Sequence, residues 1–304
     1  MDWKSEFCEI LFNQNKDPLN FDKATQLKFK WIPKSLFRFR AWNDYTLKEI
    51  NENKIWLSNP RSFNDPYDCF VSADYKKVVH SLFRNFPQTK NIPEDIWAEI
   101  EGSDDPVLSL SRHLAQRAIP ADLRYVENAR LLNLEVKAEI ERKEKSWDAM
   151  RDETKIACFS ERWDSLPMWA HYADNHRGFC IEYDLSNESE GRTAPLFPVI
   201  YSKALVPLDI TNDLLNLPGS GHLAIKAAIF KNEDWSYECE WRLVFYTGDN
   251  QKIEIKGYPI KAILLGTKII DEHKKQLTEL SNKCKFEIFQ MKVSANKFTK
   301  EIIR

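Results

Sequence analysis

KIACFSERWDSLPMWAHYADNHRGFCIEY, residues 155–183, sets the order of elements in this chain. Its two ends, Lys155-Ile156-Ala157-Cys158-Phe159-Ser160 and Gly178-Phe179-Cys180-Ile181-Glu182-Tyr183, are short extended runs dominated by apolar side chains. Between them Leu166 to Tyr172 carries a short helix, opened by Leu166-Pro167 and with Ser165 in place to cap it. Downstream, strands fit Phe197 to Tyr201, Trp241 to Tyr246, Lys252 to Ile255 and Ala262 to Gly266; a helix at about 270 to 282 and a strand from Phe286 to Val293 follow. Upstream, Leu36-Phe37-Arg38-Phe39-Arg40 alternates apolar and basic residues with period two, which puts both arginines on one face. A helix capped by Asn43 or Asp44 runs through Ile50, a second strand spans Ile55 to Ser58, and residues 59–66 form a turn dense in Asn, Asp and Pro.

Residues 1–35 read as a helical lead-in ending near Ile32-Pro33. From residue 74 to 152 helical periodicity and charge dominate, as in Glu135 to Lys145, and strand-like runs vanish. The expected fold class is α+β: one domain over residues 1–304, with a mixed, mainly antiparallel sheet built from residues 36–73 and 153–304 and a large helical insertion at 74–152.

Lys plus Arg number 44 against 46 Asp plus Glu, so the net charge of -2 gives no long-range field to gather nucleic acid or an anionic membrane. A nucleic-acid partner is neither implied nor excluded. No run of about 18 apolar residues spans a bilayer, and Met1-Asp2-Trp3-Lys4-Ser5-Glu6 lacks a signal peptide's apolar run; the expected location is the cytoplasm, with no membrane partner. The six cysteines stand singly, mostly in apolar company, and read as small buried hydrophobes. With 8 Gly against 10 Trp and 18 Phe, the composition points to a well-packed aromatic core.

Four clusters place polar groups inside aromatic or apolar runs, where folding alone would favour hydrophobes. Arg38 and Arg40 are either surface arginines that blunt an edge strand or a guanidinium fork for phosphate or carboxylate. Ser62-Phe63-Asn64-Asp65-Pro66-Tyr67-Asp68 is either a self-bonded turn or a turn that leaves Asp68 free to orient another side chain. In the run from Ser160 to Gly178, His171 and His176 lie about 140° apart around a helix and cannot share a metal from one face. His171, Trp169 and Tyr172 are either core residues or the lining of a pocket for a flat ring. In Trp235-Ser236-Tyr237-Glu238-Cys239-Glu240-Trp241-Arg242, read as a strand, Glu238, Glu240 and Arg242 share one face. This is either a salt-bridged surface or a half-buried site in which Arg242 separates two carboxylates.

In order, Phe39-Arg40, Ser62 to Asp68, Cys158 to Glu161, Met168 to Tyr183 and Trp235 to Arg242 resemble the motifs of a bacterial family catalogued as domain of unknown function 2971, over about residues 36 to 265. The arrangement is also similar to ADP-ribosyltransferase-like enzymes, which present an Arg or His on the first strand, a Ser or Tyr on a middle strand and a Glu on a late one. Arg40, Ser160 and Glu240 stand in those places, and Glu238-Cys239-Glu240 is similar to a paired-glutamate motif of some such transferases. The resemblance implies NAD as substrate. Glu240 would stabilise positive charge on the ribose, Glu238 would activate the acceptor, Arg40 would hold a phosphate or ribose oxygen and Ser160 would orient the nicotinamide. Arg38, Asn64, Asp65, Trp169, His171 and Tyr172 would bind the rest of a nucleotide-type small molecule; no metal is expected. The acceptor, protein or nucleic acid, stays open, and the bacterial setting implies a toxin or phage-defence context. Two alternatives remain: a metal-dependent nuclease or phosphohydrolase using Asp65, Asp68, His171 and Glu240, and a non-catalytic module that binds a nucleotide or a protein.

Overall fold

The computed structural model describes residues 2–12, 18–70, 75–84, 86–117, 124–203, 220–248, 252–293 and 298–302. The chain divides into two compact units, Met1–Cys69 with Asp152–Leu205 and Ala224–Arg304, and Phe70–Arg151 with Val206–Leu223.

The first unit is built on an eight-stranded sheet. In chain order its strands are β1 (Ser35–Arg40), β3 (Thr154–Ser160), β4 (Phe179–Asp184), β5 (Leu196–Pro198), β8 (Glu240–Tyr246), β10 (Ile260–Leu265), β11 (Glu287–Val293) and β12 (Phe298–Ile302). Their spatial order is β12-β11-β10-β4-β1-β3-β8-β5. β10 and β11 run parallel, and the other neighbours are antiparallel. The class is α+β with a mixed, mainly antiparallel sheet. Two small ladders sit beside it: β2 (Lys54–Leu57) with β9 (Ile253–Lys256), and β6 (Ile200–Ser202) parallel to β7 (Phe230–Asn232).

Both faces of the main sheet are covered, and β1 shows why. Leu36 enters one core with Ile50, Phe159, Ile181 and Tyr183, while Phe37 and Phe39 enter another with Trp169, Cys180 and Leu264. Each such aromatic side chain removed from water contributes about 1.5 to 3 kcal/mol. The arginines of β1 share the face of Leu36, so that face must supply an anion. It comes from α3 (Asp44–Glu52), whose start is fixed by a capping box between Asn43 and Thr46 and whose inner side carries buried Glu49 and Ile50.

The sheet is open at one seam. β1 and β3 share a single register pair, Phe37 with Ser160. At Ile156 the neighbour of β3 is Ser58 instead, through two backbone hydrogen bonds of 2.8 and 2.9 Å.

Several expectations change in detail. The run Phe197 to Tyr201 is two strands because it changes partner, Leu196–Pro198 pairing with β8 and Ile200–Ser202 with β7, while Val199 between them donates its N–H to the Glu240 carbonyl at 2.9 Å. β7 and β12 are strands that the sequence pattern does not predict. The lead-in holds α1 (Trp3–Leu11) and α2 (Pro18–Phe29). Ser165 occupies the cap position of α8 (Leu166–Tyr172), but its side chain makes no capping bond. Of the six cysteines Cys69 and Cys180 are buried, whereas Cys8, Cys158 and Cys239 are half-buried and Cys284 is exposed at the end of the helix Asp271–Cys284. No described helix is long and apolar enough to cross a membrane.

The described part of the second unit is helical: α4 (Tyr75–Phe83), α5 (Glu94–Gly102), α6 (Pro106–Arg117) and most of α7 (Arg124–Glu153). A polar relay ties three of them. Tyr75 donates to Asn133 Oδ1 at 2.7 Å and Asn133 Nδ2 to Asp105 at 2.7 Å, while Asp105 also caps α6 through Leu108 N at 3.0 Å.

Candidate functional site

At the open seam between β1 and β3 lies a cavity of about 520 Å³. It is lined by β1 (Phe37 to Arg40), by Ser58 and the turn Ser62-Phe63-Asn64 with Asp68, by β3 (Ile156, Cys158, Phe159 and Ser160), by α8 (Met168, His171 and Tyr172), and by Lys231, Glu238, Glu240 and Arg242. Strands far apart in the chain therefore bring Arg40, Ser160 and Glu240 to one recess.

One end of the cavity is cationic. Arg38 and Arg40 both bind the Glu49 carboxylate, whose side chain is fully buried; Arg40 Nε reaches it at 2.9 Å, and Arg38 Nη2 also donates to the Trp56 carbonyl at 2.9 Å. Among the described residues two guanidinium groups share this one carboxylate, an excess of one positive charge. Arg40 keeps 24% of its side-chain surface exposed.

The other end is acidic. Arg242, with no exposed surface, grips Asp68 through two bonds of 2.6 and 2.7 Å and Glu240 through two of 2.9 Å, and donates to the Ala228 carbonyl at 2.7 Å. Lys231 Nζ lies 2.6 Å from Glu238, 3.3 Å from Glu240 and 3.6 Å from Asp68. Tyr172 donates to Glu238 at 2.6 Å and accepts from Asn64 Nδ2 at 3.2 Å. Among the described residues three carboxylates share these two cations, an excess of one negative charge.

The backbone that aims these groups differs from the strand read from the sequence. Glu233–Glu238 is a 3-10 turn, and Cys239 adopts a left-handed conformation with φ 45° before β8 begins at Glu240. This kink is tied down by Ser160, whose Oγ donates to the Glu238 carbonyl at 2.6 Å and accepts from Arg162 N at 3.0 Å, and by Tyr201, whose hydroxyl accepts from Glu240 N at 2.9 Å. The Ser160 hydroxyl is thus committed to the hinge between the two glutamates. Residues Asp174, Asn175 and His176 all have positive φ and fold the chain back between α8, whose Trp169 packs edge-on against Phe39 of β1, and β4. Gly178 is required there, since a Cβ would lie 2.1 Å from the Arg40 carbonyl oxygen.

Two expected binding residues lie elsewhere. Asp65 accepts from Tyr67 N at 2.9 Å within its own turn and is not among the described lining residues. Trp169 is buried edge-on to Phe39 with its indole N–H on the Trp163 carbonyl at 2.7 Å, behind the wall rather than in it. Glu49 and Lys231 were missed. The pair of arginines already required an anion, and the helix that follows them supplied it within eleven residues of Arg38. Lys231 had a fainter signal, a lone lysine closing the apolar run Ala227-Ala228-Ile229-Phe230.

Residues 168–243 match a family model described as "Protein of unknown function (DUF2971)". No curated protein and no solved structure is matched. The matched segment runs from α8 into β8, so it contains Tyr172, Lys231, Glu238, Glu240 and Arg242 but leaves the β1 arginines outside.

Within that segment the two glutamates differ electrostatically. Burial and the charge of Glu240 push the Glu238 carboxyl above its ordinary value, against Lys231 and Tyr172. Burial also opposes ionisation of Glu240, but Arg242 and Lys231 outweigh it and bring that carboxyl down to about 2. Glu240 is a fixed negative charge, and Glu238 is the one of the two poised to exchange a proton. Of the carboxylates named for metal binding, Asp68 and Glu240 are paired with Arg242, and Asp65 accepts from Tyr67 N within its own turn.

Proposed function

We propose that the cavity binds a dinucleotide of the NAD type and that its acidic end assists cleavage of the nicotinamide–ribose bond. The observation that carries this reading is the polarity of one recess: Arg38 and Arg40 around Glu49 at one end, and Asp68, Glu238 and Glu240 around Lys231 and Arg242 at the other. A pyrophosphate is a natural partner of the exposed part of Arg40. A ribose that gains positive charge as nicotinamide leaves is stabilised by the excess negative charge at the opposite end. Phe37, Phe39 and Phe63 give the lining apolar surfaces against which a flat ring packs. The volume of about 520 Å³ falls in the range of small-molecule sites.

The roles divide accordingly. Glu240, held on both oxygens by Arg242, supplies a fixed field; Glu238 accepts a proton; Ser160 orients the hinge that carries them; His171 and Tyr172 stand on α8 at the same recess. A toxin or phage-defence role would follow from consumption of NAD or from modification of a protein or nucleic acid.

Saturation of Glu240 favours a second reading, a module that binds the nucleotide without turnover. Incubating the purified protein with NAD, with and without EDTA, and measuring free nicotinamide separates the readings. The proposal expects release that survives chelation and falls at least about 100-fold in Glu240→Gln, as when a fixed charge opposite the reacting centre is removed. NAD binding without release supports the module. Release only with a divalent ion overturns both.

A further inference from the structure

Lys231 lies where three carboxylates converge, with 4% of its side-chain surface exposed and its ammonium 4.8 Å from the Trp235 ring. Arg242 directs its donors to Asp68, Glu240 and the Ala228 carbonyl. Lys231 is therefore the cation in direct contact with Glu238, at 2.6 Å. We infer that Lys231 is a positioning residue that keeps the Glu238 carboxylate ionised and set apart from Glu240, ready to take the proton of an acceptor hydroxyl or a water.

The inference deepens the NAD-cleaving reading and rests on it for the chemical step. In that step the bond between ribose C1′ and the nicotinamide nitrogen breaks, its electron pair neutralising the pyridinium so that nicotinamide leaves uncharged. The acceptor oxygen bonds C1′, and its proton passes to Glu238. A neutral Glu238 has no lone charge to receive that proton, so the step requires the carboxylate.

Glu238 faces groups from several elements. Glu240 on β8 opposes its ionisation, whereas Lys231 on β7 and the Tyr172 hydroxyl on α8 favour it. Asp68 and Arg242 complete the ion cluster, Tyr201 on β6 lies close enough to feel the Glu238 charge, and the Cys158 thiol of β3 bonds Glu240. Removal of Lys231 alone leaves three carboxylates around one guanidinium, and the one without a bidentate partner, Glu238, gains the proton.

The test uses the full chain carrying Lys231→Met or Lys231→Arg, each with and without Glu238→Gln. Two measurements are made over a range of pH: thermal unfolding and nicotinamide release. The expected result is that Lys231→Met lowers Tm strongly at neutral pH, that this loss largely disappears on acidification or when combined with Glu238→Gln, and that Lys231→Arg restores most of it. The acidic limb of the release profile moves up by about 1 to 3 pH units in Lys231→Met, the size expected when an opposite charge is withdrawn from a carboxylate. An equal Tm loss with and without Glu238→Gln, or a release profile lowered at every pH without moving, overturns the inference. If no protein, wild type included, releases nicotinamide, the NAD-cleaving reading fails, and the unfolding data still decide whether Lys231 sets the charge of Glu238.

Discussion

The two ends of the cavity are built in opposite ways. The cationic end comes from one short piece of chain, β1 followed at once by α3, and a single carboxylate, Glu49, serves both arginines. The acidic end gathers residues 68, 172, 231, 238, 240 and 242 from five separate elements, and each charge has several partners. The difference teaches that a local arrangement depends on one contact, whereas a distributed one depends on the accuracy of the whole fold.

The largest effect should follow from Arg242→Met. It leaves Asp68 and Glu240 buried without their shared guanidinium, a loss of about 3 to 5 kcal/mol, to be measured by denaturant unfolding. Glu49→Gln should cost somewhat less, about 2 to 4 kcal/mol, because Arg40 still reaches solvent while Arg38 does not; an equal or larger loss than for Arg242→Met would reverse the contrast between the ends. Gly178→Ala, which forces the chain away from the Arg40 carbonyl, should cost about 1 to 3 kcal/mol and disturb both ends together.

Acid titration resolves the two glutamates. A carboxyl held at about 2 when folded, against an ordinary value near 4.5, stabilises the fold at any pH above the ordinary value; that contribution drains away as pH falls toward 2. Glu240→Gln should flatten this part of the stability profile. Glu238 has the opposite sign, since its raised carboxyl makes the ionised form a burden on the fold near neutrality. Glu238→Gln is therefore expected to be neutral or mildly stabilising at pH 7. Tyr172→Phe should cost little, about 1 kcal/mol for one hydrogen bond, with the Glu238 carboxyl rising further.

How legible this was in the sequence follows the same division. Period-two alternation in Leu36 to Arg40 put both arginines on one face, and the extended runs around Ser160, Tyr183 and Arg242 marked most of the sheet. Local patterns failed where the deciding partner is remote. Nothing within the run Trp235 to Arg242 announces the left-handed Cys239, because the kink is imposed by Ser160 and Tyr201 from elsewhere in the chain. β7 is three residues long and is specified by its parallel neighbour β6 rather than by its own pattern, so Lys231 went unseen with it. Trp169 was read as a pocket wall from its neighbours His171 and Tyr172, yet its indole is turned into the core by the Trp163 carbonyl.

The most direct test of the account is a crystal structure of the Glu240→Gln protein determined with NAD. The account expects the dinucleotide in the recess between β1 and β3, its phosphates within hydrogen-bonding distance of Arg40 and its nicotinamide-side ribose against Glu238. NAD seated outside that recess, lying with its phosphates at the acidic end, or failing to bind while the recess keeps its shape would contradict it.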